Sequence, residues 1–425
     1  MLVAAKTHNC SPSIAENPER QGKFRFLWRK YATAFIVLLG INYIPIDTFS
    51  GFSTFKIVLI LSAVVALALH FRLSKAFLFG TIYFLWQCIV AAFHPESMRY
   101  STFLFSGGLV FSYICMYNLI YEERIFSIDY FLKIVRGMMM AFFIVCVIQQ
   151  MFILVGIRFF PPINLCTVFN RGIGCNSLSL EPSHFARFML VFYYAYVKCN
   201  EFKRGKGPFN IKELFGKEHR GVTLRFLWMM LTMGSGTAFV CLIAFSCYFI
   251  RKNNALFMIP ALILMYIALN YIEFEPLNRA TSVIRAVSTF DQKHVMATDH
   301  SAAFRISPLL TSLKADFTKS ETWFGYGIDY GKNNNLMVKQ QATFFDDYGF
   351  IFYLLVLLLN FTCAYRFFSL ATLFMFMGIG GGAGTNVIYL WELMLIMTCV
   401  RYFYENSNGL PRKQREVHIL GRTAT

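Results

Sequence analysis

Charge is scarce in this chain, and acidic charge scarcest of all. Only 15% of its 425 residues are charged, against about 25% in ordinary globular proteins. Asp and Glu number 23 beside 40 Lys and Arg, while 56% of residues are apolar or aromatic and mean hydropathy is +0.50. A soluble enzyme needs a polar shell that this composition does not supply. A nucleic-acid binder would also be basic, but here the cations fall between long apolar runs rather than along an exposed face, so no nucleic acid is expected as a partner. Low total charge with a basic excess fits a polytopic membrane protein whose cationic loops sit in the cytoplasm.

Chemical signatures are missing too. The eleven cysteines form no C-x-x-C pair, and most, such as Cys115, Cys146, Cys241 and Cys399, lie inside apolar runs as small packing residues. Cys166 and Cys175 fall in a predicted outer loop, where they are a candidate disulfide. There is no H-E-x-x-H, no G-x-S-x-G in a strand-turn-helix setting and no D-x-D to hold a divalent metal beside a sugar nucleotide. No metal or cofactor is expected, and a metal-dependent nucleotide-sugar transferase is disfavoured. The polar first 30 residues end in Arg20, Lys23, Arg25, Arg29 and Lys30 without the apolar core and cleavage site of a signal peptide, so none is expected to be removed. No internal repeat is evident. The glycine-rich breaks at Gly234 to Gly236 and Gly378 to Gly384 have dissimilar surroundings, which counts against the paired interrupted spans of a transporter.

What is there is a succession of apolar segments: 31–46, 54–70, 76–93, 102–120, 133–156, 183–198, 222–233, 236–250, 254–273, 347–365, 369–383 and 386–403. With about 20 residues per crossing, the expected fold is an all-α polytopic bundle of about 12 transmembrane helices. Gly234-Ser235-Gly236-Thr237 divides what would otherwise be one long helix over 222–250. Alternation from a cytoplasmic N-terminal tail (1–30) makes 31–403 the bundle and 404–425 a cytoplasmic C-terminal tail. Arg72, Lys75, the basic loop 198–221, Arg251, Lys252, Arg366 and Arg401 then all fall inside. The opposite, outer side receives two substantial loops, 157–182 and 274–346, the second with a helical pattern, and chemistry is expected there.

The first outer loop runs Arg171-Gly172-Ile173-Gly174-Cys175-Asn176-Ser177-Leu178-Ser179-Leu180-Glu181-Pro182-Ser183-His184-Phe185-Ala186-Arg187. Pro182 suits the first turn of a helix, which places Glu181 at the outer end of the next span. Glu181, His184 and Arg187 follow at i, i+3 and i+6, so they descend neighbouring faces of that helix. Arg187 falls within the membrane boundary, where an ionisable group is costly and a functional role is the default expectation. The plainer alternative is a Glu181 that only caps the helix and an Arg187 that snorkels or pairs with it. In the second loop Ala303, Phe304, Ile306, Leu309, Leu310, Leu313 and Phe317 recur at helical spacing around Arg305, predicting helices that lie over the bundle. The glycine-rich Trp323-Phe324-Gly325-Tyr326-Gly327-Ile328-Asp329-Tyr330-Gly331 lacks a following Lys-Ser/Thr and reads as a tight turn, not a nucleotide loop.

Guanidinium groups suit pyrophosphate because they are permanently charged and present a planar fork to its oxygens. Arg171, Arg187, Arg279, Arg285 and Arg305 are therefore candidate contacts for an anionic lipid-linked phosphate or pyrophosphate. Glu392, inside the last span, is left open between a buried partner for an arginine and a catalytic part.

Arg171 with its neighbouring glycines, followed by Glu181-Pro182-Ser183 entering a span, resembles the "R-x-x-G…E-P-S" region of Wzy-type O-antigen and exopolysaccharide polymerases, within the O-antigen ligase/polymerase superfamily. Leu231-Thr232-Met233-Gly234-Ser235-Gly236-Thr237 looks like that family's "L-T-x-S-x-T" step, with Gly236 where the family often has arginine. Arg305, then Phe324-Gly325-Tyr326-Gly327 and Asp347-Tyr348-Gly349-Phe350, is similar to the family's large periplasmic loop and its exit. The resemblance covers roughly 165 to 365. It implies a bacterial inner-membrane glycosyltransferase that joins undecaprenyl-pyrophosphate-linked oligosaccharide repeats at the periplasmic face. Membrane lipid is a partner on this view, and a chain-length regulator is a candidate one. Within it, Glu181 is the first choice for general base and His184 the second, Arg171 and Arg305 stabilise the departing pyrophosphate, and Arg187 holds Glu181. Two rivals remain: a ligase of the same superfamily, with His294 or His300 as its histidine, and a transporter or flippase of lipid-linked sugar.

Overall fold

The computed structural model describes residues 18–41, 54–69, 71–157, 173–179, 181–205, 207–250, 315–334, 344–364 and 388–408, with the single residues 260, 267, 282 and 285. Among them every regular element is helical: α1 (Pro18–Gly40), α2 (Thr54–Leu69), α3 (Lys75–Phe93), α4 (Tyr100–Tyr117, continued by a π-helical turn Asn118–Glu122), α5 (Ile128–Leu154), α6 (Pro182–Arg204), α7 (Ile211–Leu214), α8 (Arg220–Thr232), α9 (Gly236–Ser246), α10 (Ser320–Phe324), α11 (Tyr330–Asn333), α12 (Phe344–Phe361) and α13 (Ile388–Asn408). Among the described residues three stretches are long and apolar enough to cross a membrane: Lys75–Phe93, Tyr100–Glu122 and Ile128–Leu154. At 1.5 Å per residue they reach roughly 28 to 40 Å, about the thickness of a hydrocarbon core or more.

The outer helices are apolar on their exposed faces. Ile57, Val58, Leu61 and Val65 on α2, Leu78, Ile82, Leu85 and Ile89 on α3, and Met140, Ile144, Ile148 and Met151 on α5 are all exposed. They recur three or four residues apart, so each helix turns a continuous apolar stripe outward, as a lipid-facing surface requires. The centre is different. Phe185 to Val197 of α6 and Leu390 to Val400 of α13 are buried without interruption, and the two helices pack on each other. Shielded by their neighbours, they need not be purely apolar, and they carry Arg187 and Glu392. Buried hydroxyl and amide pairs stitch the layers: Gln87 Nε2 donates to Ser106 Oγ at 2.8 Å, and the Tyr113 hydroxyl lies 2.7 Å from Thr362 Oγ1 and 3.1 Å from Thr398 Oγ1. With little water to compete, such bonds hold helices together where apolar packing alone gives no preference over lipid.

Helix ends sort by charge. At one end Arg25 Nη2 donates to the Arg124 carbonyl at 2.7 Å, Arg72 pairs with Glu123 at 3.3 Å, and Lys203 pairs with Asp129 at 2.6 Å. Arg401 Nη1 donates to the carbonyls of Phe361 (3.2 Å) and Thr362 (2.6 Å), closing the free end of α12. These contacts bring the start of α1, the ends of α2, α4, α6, α12 and α13, and the start of α5 to one basic end. The sequence pattern placed the same cations on one side, and the helices alternate accordingly. Boundaries differ from the apolar spans where charge is tolerated near a helix end: α1 starts at Pro18, and α6 runs on to Arg204, with Lys198 and Glu201 paired at 2.8 Å and Gly205 as its left-handed cap. The predicted break between α8 and α9 is present, with Gly234 at φ 70.

At the opposite end, residues 315–334 dock onto α3 and α12. Trp86 Nε1 donates to the Tyr348 carbonyl at 3.1 Å, Asn333 Nδ2 donates to the Ser97 carbonyl at 2.9 Å, and the Gly331 N–H donates to Asp347 Oδ1 at 2.8 Å. Gly325 (φ 77) and Gly349 (φ 76) cross backbone to backbone, so close that a Cβ on Gly349 would collide with the Trp323 carbonyl. The glycine-rich segment is thus the tight turn its composition predicted, and glycine is required for both dihedral and space.

Candidate functional site

α6 begins as its sequence demands. Glu181 is the N-cap in extended conformation, Pro182 occupies the first turn, and the amides of His184 and Phe185 donate to the Glu181 carbonyl at 3.1 and 3.0 Å. The Glu181 side chain does not cap the helix. It is exposed, and Ser183 Oγ donates to its Oε2 at 3.1 Å. His184 is half-buried on the first turn, and Arg187 is buried, 6% exposed, on the second. The three predicted residues therefore line one descent from surface to interior. Below them Phe185, Phe188 and Phe192 stack around Phe142 of α5, with ring centroids 5.6, 5.9 and 6.3 Å away. That aromatic seam fixes the rotation of α6, and with it the direction of Arg187. Cys241 of α9 lies within electrostatic reach of the guanidinium.

The approach to Glu181 is unexpected for a loop. Gly174, Cys175, Asn176, Ser177 and Ser179 are all buried, so the segment is packed into the bundle rather than laid over it. Backbone polar groups taken out of water must find partners, and Gln149 of α5 supplies them: its Oε1 accepts from the Ser177 amide at 2.7 Å and its Nε2 donates to the Ser177 carbonyl at 3.1 Å. Ser177, at φ 49, also donates through Oγ to the Phe142 carbonyl at 2.6 Å, and Asn176 Nδ2 donates to the Ser179 carbonyl at 2.6 Å. Cys175 Sγ sits 3.3 Å from Cys146 Sγ, both thiols free. The suggested partner Cys166 lies outside the described residues. Gln150, next to Gln149, reaches the other way, donating to Thr232 Oγ1 at 2.7 Å and accepting from Trp228 Nε1 at 3.0 Å. The ends of α5 and α8, the packed loop and the start of α6 thus form one polar-lined platform beneath Glu181.

Sequence reasoning passed over Gln149 and Gln150, although two adjacent amides inside the apolar run 133–156 were a usable signal for interhelical hydrogen bonding. Of the predicted cations, Arg171, Arg279 and Arg305 lie outside the described residues, as do His294 and His300. Arg285 is helical and exposed. Glu392 is wholly buried, and among the described residues the charged group acting on it is Lys56 of α2. Among the described residues no group of three or more His, Cys, Asp or Glu side chains is placed to hold a metal ion.

Chemically, the platform offers an exposed carboxylate able to accept a hydroxyl proton, an imidazole one turn on, and a buried permanent cation behind them. Comparison with protein-family models, with curated proteins and with solved structures finds no match.

Proposed function

We propose that the chain is a metal-independent membrane glycosyltransferase of the polysaccharide-polymerase kind, acting on undecaprenyl-pyrophosphate-linked oligosaccharide repeats at the periplasmic face of a bacterial inner membrane. In this proposal about 12 helices span the bilayer. The basic end, with both termini, is cytoplasmic by the distribution of Lys and Arg, and Glu181 opens on the far side. The observation that carries the proposal is the start of α6: an exposed Glu181 at a helix N-terminus, with Arg187 buried below it.

A hydroxyl oxygen of the acceptor sugar attacks the anomeric carbon of the donor glycan. The bond from that carbon to the pyrophosphate oxygen breaks, and the hydroxyl proton passes to Glu181, with His184 as the second candidate acceptor. Negative charge grows on the departing undecaprenyl pyrophosphate, and Arg171 and Arg305 stabilise it there, with Arg279 and Arg285 as further candidate contacts. Arg187 is a positioning residue that acts through Glu181. A membrane-embedded cation this well buried supports that role, since its cost needs a compensating use.

The test is the set of lipid-linked intermediates in cells lacking the chain. Accumulated single repeats are expected, whereas long lipid-linked polymer would point to a ligase, and absence of any intermediate on the periplasmic side would point to a flippase. Glu181→Gln and Arg305→Ala should fail to restore polymer while reaching the membrane in normal amount; normal chain-length ladders from both would remove these residues from the mechanism.

A further inference from the structure

A second ionisable cluster lies apart from the Glu181 platform. Glu392, early in α13, is 0% exposed, and neither of its carboxyl oxygens has a hydrogen-bond partner. α1 approaches it through Gly40, where a Cβ would stand 3.2 Å from Glu392 Oε1 and 2.8 Å from Met138 Cε of α5. α2 contributes Lys56, itself only 4% exposed and the charged group that acts on Glu392. α4 presents Tyr113, whose ring lies 5.9 Å from Trp391 and whose hydroxyl is held by Thr362 and Thr398. On α13 itself Cys399 is within electrostatic reach, and Cys199 of α6 faces that thiol. Gly40 and Met138 carry no titratable group, so Lys56 is the only charged neighbour among the described residues.

A charge withdrawn from water costs several kcal/mol unless it is paired and hydrogen-bonded. Structural ion pairs in this protein close to contact, as Lys198 and Glu201 do at 2.8 Å. Glu392 and Lys56 do not close: no hydrogen bond joins them, and the carboxyl oxygens stay unsatisfied. Glu392 can then hold one of two states, a carboxylate offset by the Lys56 charge or a neutral acid, which differ by one proton; Lys56, itself buried, is the second titratable member of the cluster. Apolar burial opposes the first and the Lys56 charge opposes the second, an arrangement suited to switching and ill-suited to simple bracing.

We propose that Glu392, with Lys56 as its countercharge, is an intramembrane proton-binding site. On uptake a proton bonds to a Glu392 oxygen and cancels its charge; on release the proton leaves to water and the carboxylate is balanced by the Lys56 ammonium. Because Lys56 is on α2 and Glu392 on α13 against α1, each exchange alters the attraction between these helices. The inference rests on the helices spanning a membrane and not on the glycosyltransferase proposal.

The experiment is infrared difference spectroscopy on the full-length protein in lipid, stepped between about pH 9 and pH 5, above the value of about 4.3 at which an ordinary Glu titrates, so that exposed carboxylates stay mostly ionised. A protonated-carboxyl C=O band should appear on acidification in the wild type, be missing in Glu392→Gln, and in Lys56→Met titrate at higher pH by about one unit or more. A wild-type spectrum indistinguishable from Glu392→Gln, or an unchanged midpoint in Lys56→Met, overturns the proposal. If Glu392→Gln fails to accumulate, a hydrophobic carbodiimide applied to the wild type reports on the same group. Mass spectrometry should then map an adduct to Glu392 that forms faster at low pH, and a missing or pH-independent adduct overturns the proposal equally. Normal polymer synthesis by Glu181→Gln and Arg305→Ala with this titration intact would count against the enzymatic proposal alone.

Discussion

Gln149 grips both sides of one residue: its carboxamide oxygen accepts from the Ser177 amide at 2.7 Å while its nitrogen donates to the Ser177 carbonyl at 3.1 Å. A side chain on α5 thereby replaces the ladder partner that a buried, non-helical backbone lacks. This grip is what allows a loop with a left-handed Ser177 to sit inside a helical bundle and deliver Glu181 to a defined place.

Gln149→Leu is therefore expected to destabilise the protein by roughly 1–3 kcal/mol, the cost of leaving buried donors and acceptors unmatched. Thermal unfolding in detergent measures it. Equal stability of the leucine variant and wild type would show that the loop does not depend on this grip.

Arg187→Met keeps much of the buried volume and removes the charge. Polymer formation in a complementation assay should fall at least tenfold while the protein remains in the membrane, and Arg187→Lys should restore only part of it because an ammonium lacks the planar fork. If the methionine variant makes normal ladders, Arg187 only fills space.

Gly349→Ala places a methyl group against the Trp323 carbonyl at a positive φ. Backbone strain alone is about 1–3 kcal/mol, and the clash adds to it, so the segment 315–334 should undock from α12. Limited proteolysis within that segment, slow in the wild type and fast in the variant, reads the outcome.

His219 sits where α7 turns into α8, with its Nδ1 2.8 Å from the Tyr196 hydroxyl. Burial, with Arg136 and Arg204 nearby, lowers its pKa below the ordinary histidine value, although Glu218 opposes the shift. The folded state thus favours the neutral ring. Its stabilising effect is complete above about pH 6.5 and is lost as pH falls through the lowered folded value. The melting temperature should drop on acidification below about pH 6.5, and His219→Gln should flatten that part of the profile. An unchanged slope in the variant would assign the acid sensitivity to other groups.

Much of the architecture was legible before any coordinates. Apolar runs marked the helices, Pro182 marked the start of α6, Gly234 marked the break after α8, and Arg72, Lys203 and Arg401, grouped on one side by the sequence pattern, each tie helix ends together. Each of these is a local property: a residue's solvent preference or permitted dihedrals suffice to predict it. The descent Glu181, His184, Arg187 was legible for the same reason, since one helix sets their spacing.

Contacts between distant segments were not. That 174–177 would be buried followed from Gln149 meeting Ser177, and that Lys56 would act on Glu392 followed from how α2 and α13 pack around the end of α1. Composition determined that this chain is a helical, membrane-suited protein with one basic end. Only the tertiary structure decided which polar groups meet in its interior, because that depends on the register and rotation of segments well separated along the chain, and neither is encoded in the periodicity of any single segment.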